Sequence, residues 1–311
     1  MSTVPPTDSF NFSENSAQNQ AALEELTSAI VFGQGADTIT LLLVRCNYGR
    51  LRDQMVEQLK QTLAKENLQG PVQVLQLEAE DHNLYARLQA YNEQLPGTVL
   101  VLGAERLDSS ELEAFLVDLN KRREEFRREF RFPLVLWFTD EGYRRLSQYA
   151  NDFESIAGGE TIEFALSTEA LIQGLQLACD RLFDTLLAPN TPESFNQRLK
   201  QLDTDYLETD EVSLALTDLQ QRGVQRTPDL QAGVTFAQGL NVPNQDAIEL
   251  FGQSTDYWQT RDPLKYGLAL FYLGRARYYA VDSIKYQNAD WESVLPPLQD
   301  AVDVFEQAER P

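Results

Sequence analysis

The chain has 311 residues, 42% of them apolar, a length that suggests about two domains with ordinary hydrophobic cores. Its formal charge of −22, from 48 acidic and 26 basic residues, creates a field that repels phosphate backbones and disfavours nucleic acid as a partner. No apolar run approaches the ~20 residues needed to cross a bilayer, so membrane insertion is not expected. Residues 1–17, polar and without a basic flank, read as a disordered tail rather than a secretory leader, and a cytoplasmic location is expected.

Ala22, Leu23, Leu26 and Ile30 recur with helical spacing and predict a helix over Gln18–Phe32, stopped at Gly33 and Gly35. Thr38–Cys46 (TITLLLVRC) is a β-branched and leucine run, expected of a strand covered on both faces. The same alternation then repeats. Helices are predicted over Arg50–Asn67, Asn83–Gln94, Ser109–Phe130, Glu141–Ala150 and Thr168–Leu187. Between them lie predicted strands over Val72–Leu77, Thr98–Leu102, Phe132–Phe138 and Thr161–Leu166. This order predicts a mainly parallel, doubly wound sheet that binds ligands beyond the carboxyl ends of its strands.

After Pro189 the strand pattern ends. Helices are predicted over Pro192–Leu202, Glu211–Arg222, Pro228–Leu240, Asn244–Gln259, Pro263–Tyr286 and Trp291–Glu309. The pattern D-A-[IV]-x-[LV]-F-x-Q occurs at Asp246–Gln253 and again 54 residues on, at Asp300–Gln307. Such self-similarity signals helical repeats.

Residues with obvious chemistry are few. The single histidine, His82, excludes a multi-histidine metal site and is expected in a solvated Asp-His-Asn turn. Cys46 and Cys179 have no metal-ligand spacing and are expected as buried small side chains. The basic stretch Lys121–Arg131 reads as a solvated helix face, with Arg128 paired to Glu124 or Glu125 and with Phe126 and Phe130 on the buried stripe. An anion- or nucleic-acid-binding patch is the alternative there.

The loop after the first strand can be set in register with the phosphate-loop pattern G-x-x-x-x-G-K-[ST] as Val44-Arg45-Cys46-Asn47-Tyr48-Gly49-Arg50-Leu51. Only Gly49 matches. Arg50 replaces the lysine, Leu51 the magnesium-binding hydroxyl and Val44 the first glycine. The third strand has Gly103 and Ala104 where an acid is needed, with Glu105 one residue late. The strand–helix alternation, the helix after Gly49 and the Leu134–Thr139 strand at the place of a sensor strand resemble the P-loop ATPase module of STAND-type (NB-ARC or NACHT-like) signalling proteins, over roughly residues 18–190. Phe132–Trp137 and Asp152-Phe153 are similar to segments of cyanobacterial tetratricopeptide-repeat proteins whose modules have decayed. The resemblance implies a nucleotide site. Losing the lysine and the hydroxyl removes charge-assisted contacts of ~1.5–3 kcal/mol each, and with them the metal that neutralises transition-state charge. A non-catalytic pseudo-ATPase with no metal or cofactor is therefore expected, with Gly49 and Arg50 as the phosphate-loop remnant. Arg50 can still donate to phosphate, so a nucleotide-binding switch with little or no hydrolysis is the alternative.

Residues 227–311 resemble tetratricopeptide (TPR) repeats. Leu273-Gly274 matches the first-helix pair; Ala301, Phe305 and Ala308, and earlier Ala247, Phe251 and Ser254, match the second-helix spacing. Leu273 and Ala301 lie 28 residues apart, about twice what the ~34-residue repeat allows, which predicts a longer first helix and an inserted loop near Tyr286–Asp290. The expected architecture is an α/β P-loop-like parallel-sheet domain (18–190), a helical linker region (191–226) and an all-α TPR-like domain (227–311). By this resemblance the chain is a scaffold for a protein partner, held by Arg275, Tyr278 and Tyr279 near the concave face.

Overall fold

A computed structural model of the chain describes residues 17–78, 83–91, 95–158, 161–188, 209–282 and 291–308. The expected N-terminal tail, His82, the helix over 192–202 and the inserted loop near 286–290 lie outside these residues. The chain divides into two units, Met1–Ser167 and Thr168–Pro311.

The first unit is built on five parallel strands: β1 (Thr40–Cys46), β2 (Val72–Gln76), β3 (Thr98–Leu102), β4 (Pro133–Phe138) and β5 (Thr161–Phe164), in the order β2-β3-β4-β1-β5. Its helices are α1 (Ala17–Gly33), α2 (Gly49–Leu63), α3 (Leu84–Gln89), α4 (Ser109–Lys121), α5 (Arg123–Glu129), α6 (Asp140–Tyr149) and α7 (Asn151–Glu154). β3 and β4 are buried along their whole length, which is why they read as continuous apolar runs. Leu41, Leu43, Val99, Val101, Leu134 and Leu136 face one core with Leu112, Phe115 and Leu116. Trp137 stacks on Phe164 with ring centroids 5.3 Å apart. Asn19 pins α1 to the end of β5, its amide donating to the Ala165 carbonyl at 2.9 Å and accepting the Ala165 N–H at 3.1 Å.

From β1 the chain travels to the edge strand β2, returns through β3 and β4, and passes β1 to reach β5. Right-handed crossovers put α2 on one face and the helices after β2, β3 and β4 on the other. The packing of α1 on α2, and of α4 on α3, α6 and α7, follows that division. The connections leaving the adjacent strands β1 and β4 therefore diverge, which makes their carboxyl ends the topological place for a ligand site.

The single helix expected over 109–130 is two helices that break at Arg122, where φ is −98° and ψ is 9°. The break lets Phe126 pack on Tyr85 at 5.8 Å and on Phe153 at 5.3 Å. Arg122 pairs with Asp118 at 2.9 Å and lies 5.4 Å above the Tyr85 ring. Arg128 pairs with Glu129 at 3.1 Å, not with Glu124 or Glu125; Arg127 is the residue that reaches Glu124, at 4.0 Å. The i+3 pairing on α5 is therefore made by Arg127, while the exposed Arg128 side chain turns to its neighbour.

The second unit contains α8 (Thr168–Leu187), α9 (Thr209–Gln221), α10 (Pro228–Leu240), α11 (Asn244–Trp258), α12 (Pro263–Asp282) and α13 (Trp291–Ala308). Successive helices from α10 to α13 pack on one another, and α8 packs on α9, α10 and α12. α8 was expected to complete the α/β domain. It belongs with the helices because Leu182, Phe183 and Leu186 share a core with Phe236, Phe251, Trp258 and Tyr272. Both copies of the repeated motif fall on second helices, α11 and α13. Close approach explains two first-helix glycines: a Cβ on Gly239 would lie 2.8 Å from the Phe251 ring, and one on Gly274 would lie 2.6 Å from Leu298. Ser254 is fully buried and donates to the Ala232 carbonyl at 3.2 Å across the α10–α11 pair, whereas Ala308, its counterpart, is exposed in the last described turn of α13. No described helix is long and apolar enough to cross a membrane.

Candidate functional site

The carboxyl edge of β1 is where the phosphate-loop register falls. β1 continues as strand through Cys46 and α2 begins at Gly49, so only Asn47 and Tyr48 connect them. Val44 and Arg45 are in register with Trp137 and Phe138 of β4, and Val44, Arg45 and Cys46 with Ile162, Glu163 and Phe164 of β5. A phosphate cradle needs several backbone N–H groups turned into one concave loop ahead of a helix. Here three of the residues that would form it belong to a paired strand, and a two-residue link is too short to wrap a phosphate. The uninterrupted Leu and Val run, with Val44 in place of a glycine, carries the strand past the point where a loop should start. The Tyr48 carbonyl accepts the Arg52 N–H at 2.9 Å, as in a regular first helical turn. Arg50 lies exposed in that turn.

Side chains close this edge from within. Asn47 donates to Asp140 Oδ2 at 2.8 Å and accepts the Asp140 backbone N–H at 2.7 Å, tying the remnant to the start of α6. Arg45 pairs with Glu163 at 2.6 Å, lies 3.5 Å from Asp140, and stands 5.6 Å above the Tyr143 ring. Tyr143 donates to Glu154 at 2.6 Å; burial first, and then this carboxylate, raise its pKa.

At the end of β3, where the resembled module carries an acid, Gly103 leaves no room for one. Gly103 has φ 94°, and a Cβ there would lie 2.9 Å from the Leu77 carbonyl oxygen and 2.3 Å from Gln76 Nε2. Glu105 follows in a 3-10 turn, Ala104–Arg106, and is ion-paired with Arg52. Arg52 is 8% exposed and also bonds Asp53 at 2.8 and 2.9 Å. Burial opposes its charge, but Glu105 and then Asp53 outweigh burial and hold the guanidinium pKa above its ordinary value. A guanidinium thus neutralises the nearest carboxylate at the position where the resembled module would use a metal. Among the described residues no cluster of side chains could hold a metal ion.

Beside Glu105 is a cleft of about 190 Å³, lined by Glu105, Ser109, Thr139, Glu141 and Arg145 among others. Two helices begin here. Asp108 accepts the N–H groups of Ser110 and Glu111 at the start of α4, and Thr139 accepts that of Gly142 at the start of α6. The positive helix ends that would draw an anion are already served by their own caps. Hydrogen bonds from Arg144 and Arg145 hold Glu141 below the usual carboxylate range.

In the helical unit, Tyr278 and Tyr279 are 40% and 45% exposed, with rings 5.3 Å apart. The Arg275 guanidinium stands 5.7 Å from both the Tyr272 and Tyr279 rings, so the three expected partner-binding residues form one patch on α12. Elsewhere an apolar cleft of about 220 Å³ lies between α8, α9 and α10, lined by Leu175, Cys179, Leu182, Leu216 and Val234 among others. Burial pushes the Cys179 thiol up to about 12. Both cysteines are buried.

No protein-family model matches the chain, and no characterised relative was found by sequence comparison. The residues that sequence reasoning missed are Arg45, Asn47, Arg52 and Asp140. Arg45 leaves a signal, since it interrupts an apolar strand near its carboxyl end. The partnership of Arg52 with Glu105, 53 positions away, has no local signature.

Proposed function

We propose that the protein is a non-catalytic scaffold or adaptor: a P-loop-like unit without a working phosphate site, joined to TPR-like hairpins that hold a protein partner. The observation that carries this reading is the passage of β1 through Val44–Cys46 directly into α2, with Arg52 on Glu105. Support for the P-loop-like origin comes from β4, the expected sensor strand, lying between β1 and β3. The repeated motif on the second helices of two successive pairs supports the TPR-like reading. Ion pairing of Arg122, Arg123, Arg127 and Arg128 with carboxylates leaves the basic stretch a poor anion patch and favours a protein partner over nucleic acid in an acidic chain. A cytoplasmic location fits the same reading. In the alternative, a nucleotide-binding switch, Arg50 at the first turn of α2 would hold the phosphate.

Partner capture from native extract tests the scaffold. Arg275→Ala with Tyr278→Ala should abolish capture of a defined partner while thermal unfolding stays near wild type. A large loss of stability with undiminished capture contradicts the assignment of this patch. Purified protein should release no phosphate from ATP above background, and Glu105→Gln should not change that release.

A further inference from the structure

The repeated motif allows α11 and α13 to be compared position by position. Ala247, Phe251 and Ser254 on α11 are 2%, 3% and 0% exposed, and α12 covers that helix, with Phe251 and Tyr272 5.6 Å apart. On α13, Ala301 is buried, but Val302 is 55% exposed, Phe305 is half-buried and Ala308 is exposed. Leu295, seven positions before Val302, is 60% exposed. Leu295, Leu298, Val302 and Phe305 have the spacing of a helix-pairing seam, buried on one flank only.

Charge follows the same logic. α11 carries Asp246, Glu249 and Asp256 and no basic residue; α12, which packs on both α11 and α13, carries Lys265, Arg275 and Arg277 and no acid before Asp282. α13 repeats the acidic pattern with Glu292, Asp300, Asp303 and Glu306, again with no basic residue. We propose that the outer face of α13 docks a basic amphipathic helix of a partner protein, which would lie on α13 as α12 lies on α11. This rests on the reading of the chain as a helical-hairpin scaffold. A second copy of the chain is disfavoured as occupant, because two α13 faces would set like charges together.

The probe is a synthetic helix about five turns long with a leucine face and a lysine face, added to the full chain, with a leucine–glutamate helix as control. The lysine peptide should bind and slow amide exchange within 291–308. Leu295→Glu with Val302→Glu should weaken binding at least tenfold, and the milder Leu295→Ser with Val302→Ser should weaken it less while circular dichroism stays unchanged. Arg275→Ala with Tyr278→Ala should leave peptide binding intact, which separates this face from the partner patch on α12. The proposal is overturned if the peptide protects another region, if both glutamate substitutions leave its affinity unchanged, or if the leucine–glutamate helix binds as well. Concentration-dependent protection of α13 without peptide would also overturn it, by assigning the face to a second copy.

Discussion

Arg277 Nη1 donates a 2.8 Å hydrogen bond to the carbonyl oxygen of Ser293. That carbonyl is the one Pro297, inside α13, leaves without its helical donor, since proline has no N–H to give the residue four before it. A first-helix arginine thereby repairs a break in the second helix. Arg277→Ala should cost about 1–2 kcal/mol, the loss expected for a charge-assisted bond to a part-buried acceptor. The cost should shrink in a Pro297→Ala background, where residue 297 supplies its own N–H. Urea unfolding of the four proteins in this double-mutant cycle measures the coupling; equal cost in both backgrounds would show that the bond does not serve this carbonyl.

Two glycines make a matched pair of opposite sign. A Cβ on Gly239 would lie 2.8 Å from the Phe251 ring, whereas one on Gly252 would meet nothing within 4 Å. Gly252→Ala should stabilise the helical unit by about 0.5–1 kcal/mol through backbone entropy. Gly239→Ala gains the same propensity but forces α10 and α11 apart, and should destabilise by about 1–3 kcal/mol net. Denaturant midpoints decide the matter, and two equal shifts would mean that close helix approach at Gly239 is unimportant.

Restoring an acid at the end of β3 should fail. Gly103→Asp places a side chain at φ 94° against the Leu77 carbonyl, and strain of about 1–3 kcal/mol adds to the steric clash. The variant should unfold at lower temperature and gain no magnesium-dependent stabilisation. Wild-type stability for it would show that the turn is not closed as described.

Cys179 should behave as an inert thiol. Burial lifts its pKa to about 12, so at pH 8.5 it stays neutral in the folded protein and becomes an ordinary reactive thiol only on unfolding. The thiol of Cys46, also buried, donates to the Tyr48 carbonyl at 3.4 Å. Iodoacetamide followed by mass spectrometry should modify neither residue until denaturant is added. Rapid modification of native Cys179 would mean that the cleft it lines opens readily.

The strands and long helices were legible because burial on both faces writes continuous apolar runs, as in Thr98–Leu102 and Pro133–Phe138, and helical burial writes a period. What local pattern could not show was which side chains meet across the sheet edge. The pairs Arg52–Glu105, Asn47–Asp140 and Arg45–Glu163 join residues separated by 53, 93 and 118 positions. The break at Arg122 was equally hidden, because the residues around it are good helix formers and tertiary packing of Phe126 and Phe130 decides the bend. The place of α8 was hidden for a related reason: its apolar stripe announces a buried face but not which core receives it.

The central claim is that the α/β unit has no working nucleotide site, and the melting temperature with and without nucleotide tests it most directly. A ligand present at 100 times its dissociation constant should add about 2.7 kcal/mol, a shift of several degrees for a unit of this size. With millimolar magnesium-ATP or magnesium-ADP the account predicts no shift, because Val44–Cys46 are held in the ladder and Glu105 is held by Arg52. A reproducible upward shift that Arg50→Ala abolishes would contradict it and establish the nucleotide switch instead.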